Sequence, residues 1–359
     1  MKLTIEQKTL AAALAKVAGI IERRNTIPIL GNVMLRADGN QLTIIGTDLD
    51  IEVVTRIDCA TESDGETTVN AALFTDIVKK TPPGKEINLD HDGNTLHVKA
   101  GRSRFKLATL PTDDFPRLGS GEFAATFDIP APELVRLIGK SAFAMSTEES
   151  RYYLNGVYLH PANGVITAVA TDGHRLAHVT YDDGADFPGV IIPRKTVSEV
   201  RKIAPIGNVT VSTSALKIRF DMGDTVITSK VVDGTFPDYT RIIPTGYASS
   251  VTVDAKDLAR AADRVASLVE DRSKRVEVTI DDGELSIAAT GSMGEAHDAI
   301  DAAITGDGIK FAINAPYMRE TLSQAEGGDV VIEYDNPGAP VIMRPKEDDG
   351  FFAIIMPMR

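Results

Sequence analysis

The sequence predicts an α+β fold of three similar domains, each a duplicated β-α-β-β-β unit. The first observation behind this prediction is internal repetition. The segment 31–57, "GNVMLRADGNQLTIIGTDLDIEVVTRI", matches 155–180, "NGVYLHPANGVITAVATDGHRLAHVT", and sets Val33 on Val157, a shift of 124 positions. The same register continues into 274–301, "KRVEVTIDDGELSIAATGSMGEAHDAID". A repeat of about 120 residues present three times indicates three related structural units.

The second observation is that each repeat contains the same order of elements twice. The openings "LTIEQKTLAAALAKVAG", "ATFDIPAPELVRLIGKSA" and "VTVDAKDLARAADRVASL" each predict an alternating strand followed by an amphipathic helix. The closing halves "TTVNAALFTDIVKK", "VIIPRKTVSEVRKI" and "KFAINAPYMRETLS" again predict strand then helix. The Gly- and Ser-rich stretches "GSGE" and "PTGYASS" separate the copies, which places the domains at 1–119, 120–246 and 247–359.

Composition excludes several classes of protein. The chain has 359 residues, of which 43% are hydrophobic, and a single cysteine, which rules out a disulfide framework. The six histidines lack acidic or cysteine neighbours at ligand spacing, so we expect no metal and no other cofactor. The N-terminus lacks a signal-peptide core and no apolar run approaches membrane length, which predicts a cytoplasmic protein with no membrane partner.

Positive charge is concentrated in the predicted helices, although the net charge is −13. The acids lie in predicted turns and strand edges such as "TDLDIE", "YDDGAD" and "PKEDDG". The helical cations are Lys8, Lys16, Lys79, Lys80, Arg136, Lys140, Arg194, Lys195, Arg201, Lys202, Lys256, Arg260, Arg264 and Arg319. A charge run on one helix is usually a solvated face, but its repetition across most of the helices favours an anionic partner.

The stretch "VATDGHRLAHVT" at 169–180 brings Asp172, His174 and Arg175 together and raises the possibility of catalysis. A general base needs a nucleophile or a substrate site beside it. The sequence contains neither a Gly-x-Ser-x-Gly elbow nor a phosphate-binding loop. We therefore predict that the protein is not an enzyme.

Eight segments resemble the β sliding clamp family of bacterial DNA polymerase III, in order and spacing over the whole chain. They are "TIPILGN", "TDLD", "GRSRF", "RYYLNG", "TDGHRLA", "IPRK", "SKVVDGTFPDY" and the terminal "MPMR". The resemblance implies a DNA clamp fold in a head-to-tail homodimer, closed into a six-domain ring around duplex DNA with helices lining the hole. It implies a non-catalytic processivity factor for DNA replication that contacts DNA independently of sequence.

The resemblance also implies partners and sites. Partners would be the replicative polymerase catalytic subunit, the clamp loader, and other DNA polymerases and repair proteins, each bound through a short hydrophobic peptide. The DNA-contacting residues, from the motifs and the helical charge, are Arg24, Arg136, Lys140, Tyr152, Tyr153 and Lys195. Glu148 departs from the glutamine that some family members carry there, and its carboxylate would repel phosphate.

The peptide pocket carried over from the family lies on the second domain, at its junction with the third domain and the C-terminus. Its residues are Leu154, Thr171, Gly173, His174, Arg175, Leu176, Pro237, Arg241, Ile242, Asn314, Tyr317, Pro340, Val341, Met356, Pro357, Met358 and Arg359. The terminal "GFFAIIMPM" predicts a final strand that holds the chain end beside "TDGHRLA". His174, Arg175 and Asn314 are expected to serve the polar groups of the peptide.

For the ring contact, we expect an edge strand with Arg102, Arg104 and Phe105 to meet Glu295 and Asp298, with Leu268 as an apolar neighbour. Two alternatives remain open at this point. A repeat-domain ligand-binding protein without a DNA function would share the repeats, but its helices need not be basic. An uncharacterised enzyme would need convergent titratable groups.

Overall fold

The computed structural model describes residues 1–22, 26–119, 121–203, 206–271 and 274–358. Within these ranges the α-helices are α1 Gln7–Ala18, α2 Ala71–Lys80, α3 Ala131–Ser141, α4 Arg194–Ile203, α5 Ala255–Ala266 and α6 Ala315–Leu322. None of the helices in the described residues is long and apolar enough to cross a membrane.

The strands are short and are distributed along the whole chain. Those of the first third are β1 Lys2–Glu6, β2 Asn32–Asp38, β3 Gln41–Thr47, β4 Ile51–Asp58, β5 Ala60–Ser63, β6 Gly65–Asn70, β7 Glu86–His91, β8 Thr95–Ala100 and β9 Ser103–Ala108. Those of the middle are β10 Ala125–Pro130, β11 Gly156–Ala162, β12 Val165–Thr171, β13 Arg175–Tyr181, β14 Val190–Pro193, β15 Asn208–Thr213, β16 Lys217–Asp221 and β17 Thr225–Lys230. The last are β18 Ser249–Asp254, β19 Arg275–Asp281, β20 Glu284–Gly291, β21 Gly294–Asp301, β22 Ala303–Thr305, β23 Ile309–Asn314, β24 Asp329–Tyr334, β25 Val341–Pro345 and β26 Phe351–Ile355.

The order of these elements contains β-α-β-β-β six times, twice in each predicted domain, as the repeats indicate. The short strands β5 and β22 are additions in the first and third repeats. Strands and helices mix within every repeat, so the predicted α+β class is confirmed for the described residues.

Chain contacts divide the molecule into two compact units. The first unit comprises 1–135 and 186–231. It contains a five-stranded sheet in the order β5-β1-β7-β8-β9 and an eight-stranded sheet in the order β10-β15-β16-β17-β4-β3-β2-β6. The antiparallel β4–β17 pair joins the two groups of strands of the larger sheet. One sheet therefore combines strands from the first and second predicted domains.

The second unit comprises 136–185 and 232–359. One of its sheets runs β11-β12-β13-β26-β25-β24-β18-β22, and a four-stranded sheet runs β21-β20-β19-β23. The antiparallel β13–β26 pair joins strands of the second and third predicted domains, as the β4–β17 pair joins strands of the first and second in the other unit.

The helices pack their apolar faces on these sheets. In α1, Leu10, Leu14 and Val17 recur at helical spacing and are fully buried. Where β23 runs into α6, the side chain of Asn314 caps the helix by accepting a 3.0 Å hydrogen bond from the amide of Tyr317. Asn70 caps α2 in the same way. These caps satisfy amides that the first turn of a helix leaves without partners, and they fix where each helix begins.

Tyr152 and Tyr153 lie in a 3-10 turn, Glu149–Leu154, because β11 begins only at Gly156. One local expectation was wrong. Arg102 lies in the hairpin turn before β9, where Gly101 has φ 60°, so only Arg104 of that arginine pair is on the strand.

Candidate functional site

The turn between β12 and β13 is held by its own side chains. Thr171 Oγ1 accepts a hydrogen bond from the amide of Gly173 (3.1 Å) and donates one to the carbonyl of Arg175 (2.6 Å). Asp172 Oδ1 accepts from the amides of His174 (2.9 Å) and Arg175 (3.0 Å). Gly173 has φ 89°, a conformation that side chains rarely adopt. The turn therefore presents His174, which is exposed, in a fixed position.

The side chain of Arg175 points away from solvent and is only 9% exposed. Its Nε lies 3.1 Å from Asp172 Oδ2, and its Nη1 donates to Glu320. Its guanidinium lies 4.2 Å from the ring centroid of Tyr317 and 5.3 Å from that of Phe143. Arg175 lines the cavity described below, but its Nε, its Nη1 and its guanidinium face have partners within the chain, so its role toward a peptide stays a prediction.

The side-chain oxygen of Asn314 is the cap of α6, and its role toward a peptide stays a prediction. Tyr317 follows it on the helix, and burial together with Asp172 raises the pKa of its phenol. Both residues therefore hold α6 and the turn in place. His174 remains as the exposed polar side chain of the predicted trio.

The end of the chain is docked beside this turn. Strand β26 pairs with β13, with Ile355 opposite Arg175. Beyond the strand, the amide of Met356 donates to the carbonyl of His174 (2.9 Å), and the amide of Met358 donates to the carbonyl of Ala312 (2.8 Å). The predicted final strand and its position next to "TDGHRLA" are confirmed. Arg359 lies outside the described residues.

An open cavity of about 580 Å³ lies at this place. It is lined by Thr171, Gly173, His174, Arg175, Leu176, Arg241, Ile242, Ile243, Pro244, Tyr247, Pro340, Ile354 and Met356. The lining is mostly apolar, and its charged or titratable side chains are those of His174, Arg175, Arg241 and Tyr247. A cavity of this size and character suits a few apolar side chains of a peptide and a small number of polar contacts.

Nine predicted pocket residues line the cavity and seven described ones do not. Leu154, Pro237, Asn314, Tyr317, Val341, Pro357 and Met358 are the seven that do not line it. Val341 is buried in the sheet opposite Ile355. Sequence reasoning missed Ile243, Pro244, Tyr247 and Ile354. The alternation of Ile354 with Met356 was a usable signal, whereas Pro244 and Tyr247 fall in a stretch interpreted as a linker.

An aromatic and histidine cluster supports the wall that carries Arg241. His160 Nε2 lies 2.9 Å from the hydroxyl of Tyr239, which begins the 3-10 turn Tyr239–Ile242. Burial raises the pKa of Tyr239 to about 12. Burial lowers the pKa of His160 and lowers that of His178, which stacks on Phe352 at 4.6 Å, to about 4. Neutral imidazoles are therefore part of the native packing.

Three predicted DNA-contacting cations have ion-pair partners within their own unit. Lys140 Nζ lies 2.8 Å from Asp348 Oδ2, and Arg136 Nη1 lies 3.6 Å from Asp348 Oδ1. Lys195 Nζ lies 2.5 Å from Asp48 Oδ2 and donates to the carbonyl of Ile20. Each of the three cations therefore stabilises its own unit through an internal ion pair. Arg24, a further predicted contact, lies outside the described residues.

Other helical cations are exposed. Lys8, Lys79, Arg201 and Lys256 all have exposed side chains on α1, α2, α4 and α5. Tyr152 is 54% exposed and meets the Tyr153 ring edge-on. Glu148 lies 3.2 Å from Arg151 Nε, so its carboxylate has a cationic neighbour that the sequence alone did not indicate.

The predicted ring-contact residues lie on two edge strands. Strand β9 ends the five-stranded sheet and exposes Arg104 and Phe105, and β21 ends the four-stranded sheet and exposes Glu295. Leu268 is half-buried. Arg264 hydrogen-bonds Asp298 at 2.6 Å, which lowers the pKa of that carboxyl. Asp298 therefore already has a cationic partner in its own unit.

Comparisons with known proteins agree along the whole chain. Family models for the DNA polymerase III beta subunit match as the N-terminal domain over 1–119, the central domain over 128–238 and the C-terminal domain over 240–359. The chain is 38% identical to the beta sliding clamp of Caulobacter vibrioides and 35% identical to that of Proteus mirabilis, with all of both chains covered in each case.

Solved structures give the same result. A sliding clamp from Bartonella birtlesii bound to griselimycin has a TM-score of 0.96 at 38% identity, covering 100% of this chain and 99% of that one. A DNA polymerase sliding clamp from Caulobacter crescentus has a TM-score of 0.93 at 38% identity, with 100% of both chains covered. The fold is thus the three-domain DNA clamp fold, and the chain belongs to the DNA polymerase III beta subunit family.

Proposed function

We propose that this chain is a DNA sliding clamp, a non-catalytic processivity factor that encircles duplex DNA and tethers polymerases to it. The observation that carries the proposal is similarity to beta sliding clamps over the full length of both chains. The cavity beside His174 supports it, because a tether needs a site for its partners. The alternatives of a repeat protein without DNA function and of an uncharacterised enzyme find no comparable support.

We infer that two copies join head to tail through the β9 and β21 edges. The repeats support a closed ring, because heterologous contacts between similar units close when the rotation per unit divides a full turn. Twelve helices side by side at a spacing of about 9 Å form a circle about 34 Å across, which leaves roughly 25 Å inside. Basic helices on such a lining would meet phosphates and not base edges, which permits sliding.

The cavity is proposed as the site for the replicative polymerase catalytic subunit, the clamp loader and repair proteins. A short peptide with apolar side chains would fill the space among Leu176, Ile242 and Ile354, and His174 would serve a polar group at the opening. The docked chain end completes this site, because Met356 is part of the lining.

One experiment tests the function directly. The molar mass of the protein in solution and its retention on DNA are measured together, with circular and linearised duplex of the same sequence, after loading by a clamp loader. A clamp is a dimer that stays on the circle and leaves the linear form by its ends. Equal retention on both forms, or a stable monomer, would contradict the proposal.

A further inference from the structure

The first unit contains a second copy of the turn that carries the candidate site. Thr47 Oγ1 accepts the amide of Leu49 at 3.1 Å, as Thr171 accepts the amide of Gly173 at 3.1 Å. Asp48 Oδ1 accepts the next two amides at 2.9 and 2.8 Å, as its counterpart does in the second unit. Even the positive φ is kept, at 82° for Leu49 against 89° for Gly173. The repeat has therefore duplicated the backbone of the turn.

The strand that completes the site is duplicated as well. In the second unit the amide of Met356 donates to the carbonyl of His174 at 2.9 Å. In the first unit the amide of Lys230 donates to the carbonyl of Asp50 at 2.8 Å, at the equivalent place. Strand β17 thus pairs with β4 in the same register in which β26 pairs with β13.

This register identifies the residues that stand in equivalent positions. Leu176 lies opposite Ile354, and both line the open cavity. Their counterparts are Glu52 and Thr228, which lie opposite each other in the first unit. We call the surface formed by such a pair the floor. In the first unit, the floor thus has a carboxylate and a hydroxyl where the second unit has two apolar side chains.

In the first unit, the position equivalent to the cavity floor is covered by a segment of the chain itself. Arg117 donates to Glu52 through Nε at 2.7 Å and Nη2 at 3.4 Å, and the amide of Leu118 lies 3.3 Å from the same carboxylate. Lys217 donates to the carbonyl of Leu118. Glu52 is 5% exposed, so this ion pair is shielded on the carboxylate side. The segment after Phe115 therefore lies over the floor and is fastened there.

We propose that Glu52 and Arg117 hold closed a second site for apolar peptides, equivalent to the cavity beside His174. Two exposed leucines support an apolar ligand. Leu49 lies in the turn and is 39% exposed, and Leu216, which is 74% exposed, accepts at its carbonyl the amide of Val231, the residue after Lys230. The inference rests on the proposed function of the first site, because the ligand class is taken from it. The pair acts as a specificity device that restricts each chain to one bound peptide.

The test is calorimetric titration of a Gln-Leu-x-Leu-Phe peptide into the dimeric full-length protein. The unmodified chain binds one equivalent of peptide, and the variant Glu52→Leu with Arg117→Ala binds a second equivalent. The variant Arg36→Ala is the matched control, because it removes an arginine beside a carboxylate on β2 of the same unit. It binds one equivalent only.

A second measurement tests the inference even if the variant with both substitutions does not fold. Thr228→Cys, in a Cys59→Ser background, reports access to the floor through its rate of reaction with a thiol reagent. In the unmodified chain Thr228 is only 7% exposed, beneath the segment after Phe115. Arg117→Ala alone should release this segment and raise the rate of reaction. An unchanged rate with a single equivalent of peptide would overturn the inference. Failure of the unmodified chain to bind any peptide would instead count against the proposed function.

Discussion

The amide of Met356 donates a 2.9 Å hydrogen bond to the carbonyl of His174, so the end of the chain forms one side of the candidate site. Deleting residues 356–359 removes this contact and the Met356 side chain from the cavity. We expect affinity for a Gln-Leu-x-Leu-Phe peptide to fall at least about tenfold, or ~1.4 kcal/mol. Calorimetry measures the loss.

Met356→Ala is the control for that deletion, because it keeps the backbone hydrogen bond and removes only the side chain. We expect a smaller loss for it than for the deletion. The dimer should persist in both variants, since the proposed ring contact uses β9 and β21. Peptide affinity that survives the deletion unchanged would refute the assignment of the pocket.

Arg175 fastens the turn to α6 through Asp172, Glu320 and the ring of Tyr317. Arg175→Ala leaves a half-buried carboxylate without its partner, so we expect the free energy of unfolding to fall by about 2 kcal/mol. Urea denaturation monitored by circular dichroism measures the change.

Arg241→Ala is the matched control for stability, because Arg241 pairs with Asp238 while 83% exposed. Exposed pairs contribute little, so its effect on unfolding should stay within about 0.5 kcal/mol. Equal effects of the two substitutions would show that Arg175 is not a structural fastener.

Stability should decrease as pH falls from about 7 to about 4. His178 has a pKa lowered by burial to about 4, against 6.5 for the unfolded chain, so the unfolded state binds the proton first over this window. Protonation therefore favours unfolding, by about 2–3 kcal/mol from this residue. His160 and Tyr239 face His178, and His160 adds to the same trend, since its pKa is also lowered.

His178→Phe should remove much of this pH dependence, because a phenyl ring keeps the stack on Phe352 and has no proton to bind. Thermal denaturation of both proteins across the window provides the comparison. A slope that is the same with and without His178 would contradict its assignment as the titrating group.

The sequence predicts the repeats, the six strand-to-helix junctions and the final strand, because these depend on local periodicity. The position of the chain end beside "TDGHRLA" is expected from the family resemblance. It does not predict that β4 pairs with β17 and β13 with β26, since such pairings follow from how repeats associate. For the same reason, the sequence does not predict the ion-pair partners of Lys195 and Arg175. Their residue type suggests a free cation, but Asp48 and Glu320 lie 147 and 145 positions away along the chain.

DNA contact should depend more on exposed helical cations than on those with internal ion pairs. Lys79→Ala with Arg201→Ala removes two exposed charges from α2 and α4. If both meet phosphate, the slope of log binding constant against log salt should fall by about 2 for each copy of the chain in contact with DNA, or about 4 for the proposed dimer. Binding to duplex DNA over a range of salt concentrations gives the slope.

Arg136→Ala with Lys140→Ala is the matched pair, since both cations are held by Asp348. We expect little change in the salt slope and a lower stability for this variant. The reverse ranking would show that these cations leave Asp348 for phosphate, as the family resemblance implies.

The protein should be a dimer of about 77 kDa, twice the 38.5 kDa chain. Arg102→Glu with Arg104→Glu reverses charge at the β9 edge, where both side chains are exposed, and should weaken the dimer by setting acid against Glu295. Arg36→Glu with Arg56→Glu changes the net charge equally on exposed positions of β2 and β4 and should leave the dimer intact. Light scattering against concentration separates the two variants, and a dimer equally weakened in both would mean that net charge, and not the β9 edge, sets the assembly.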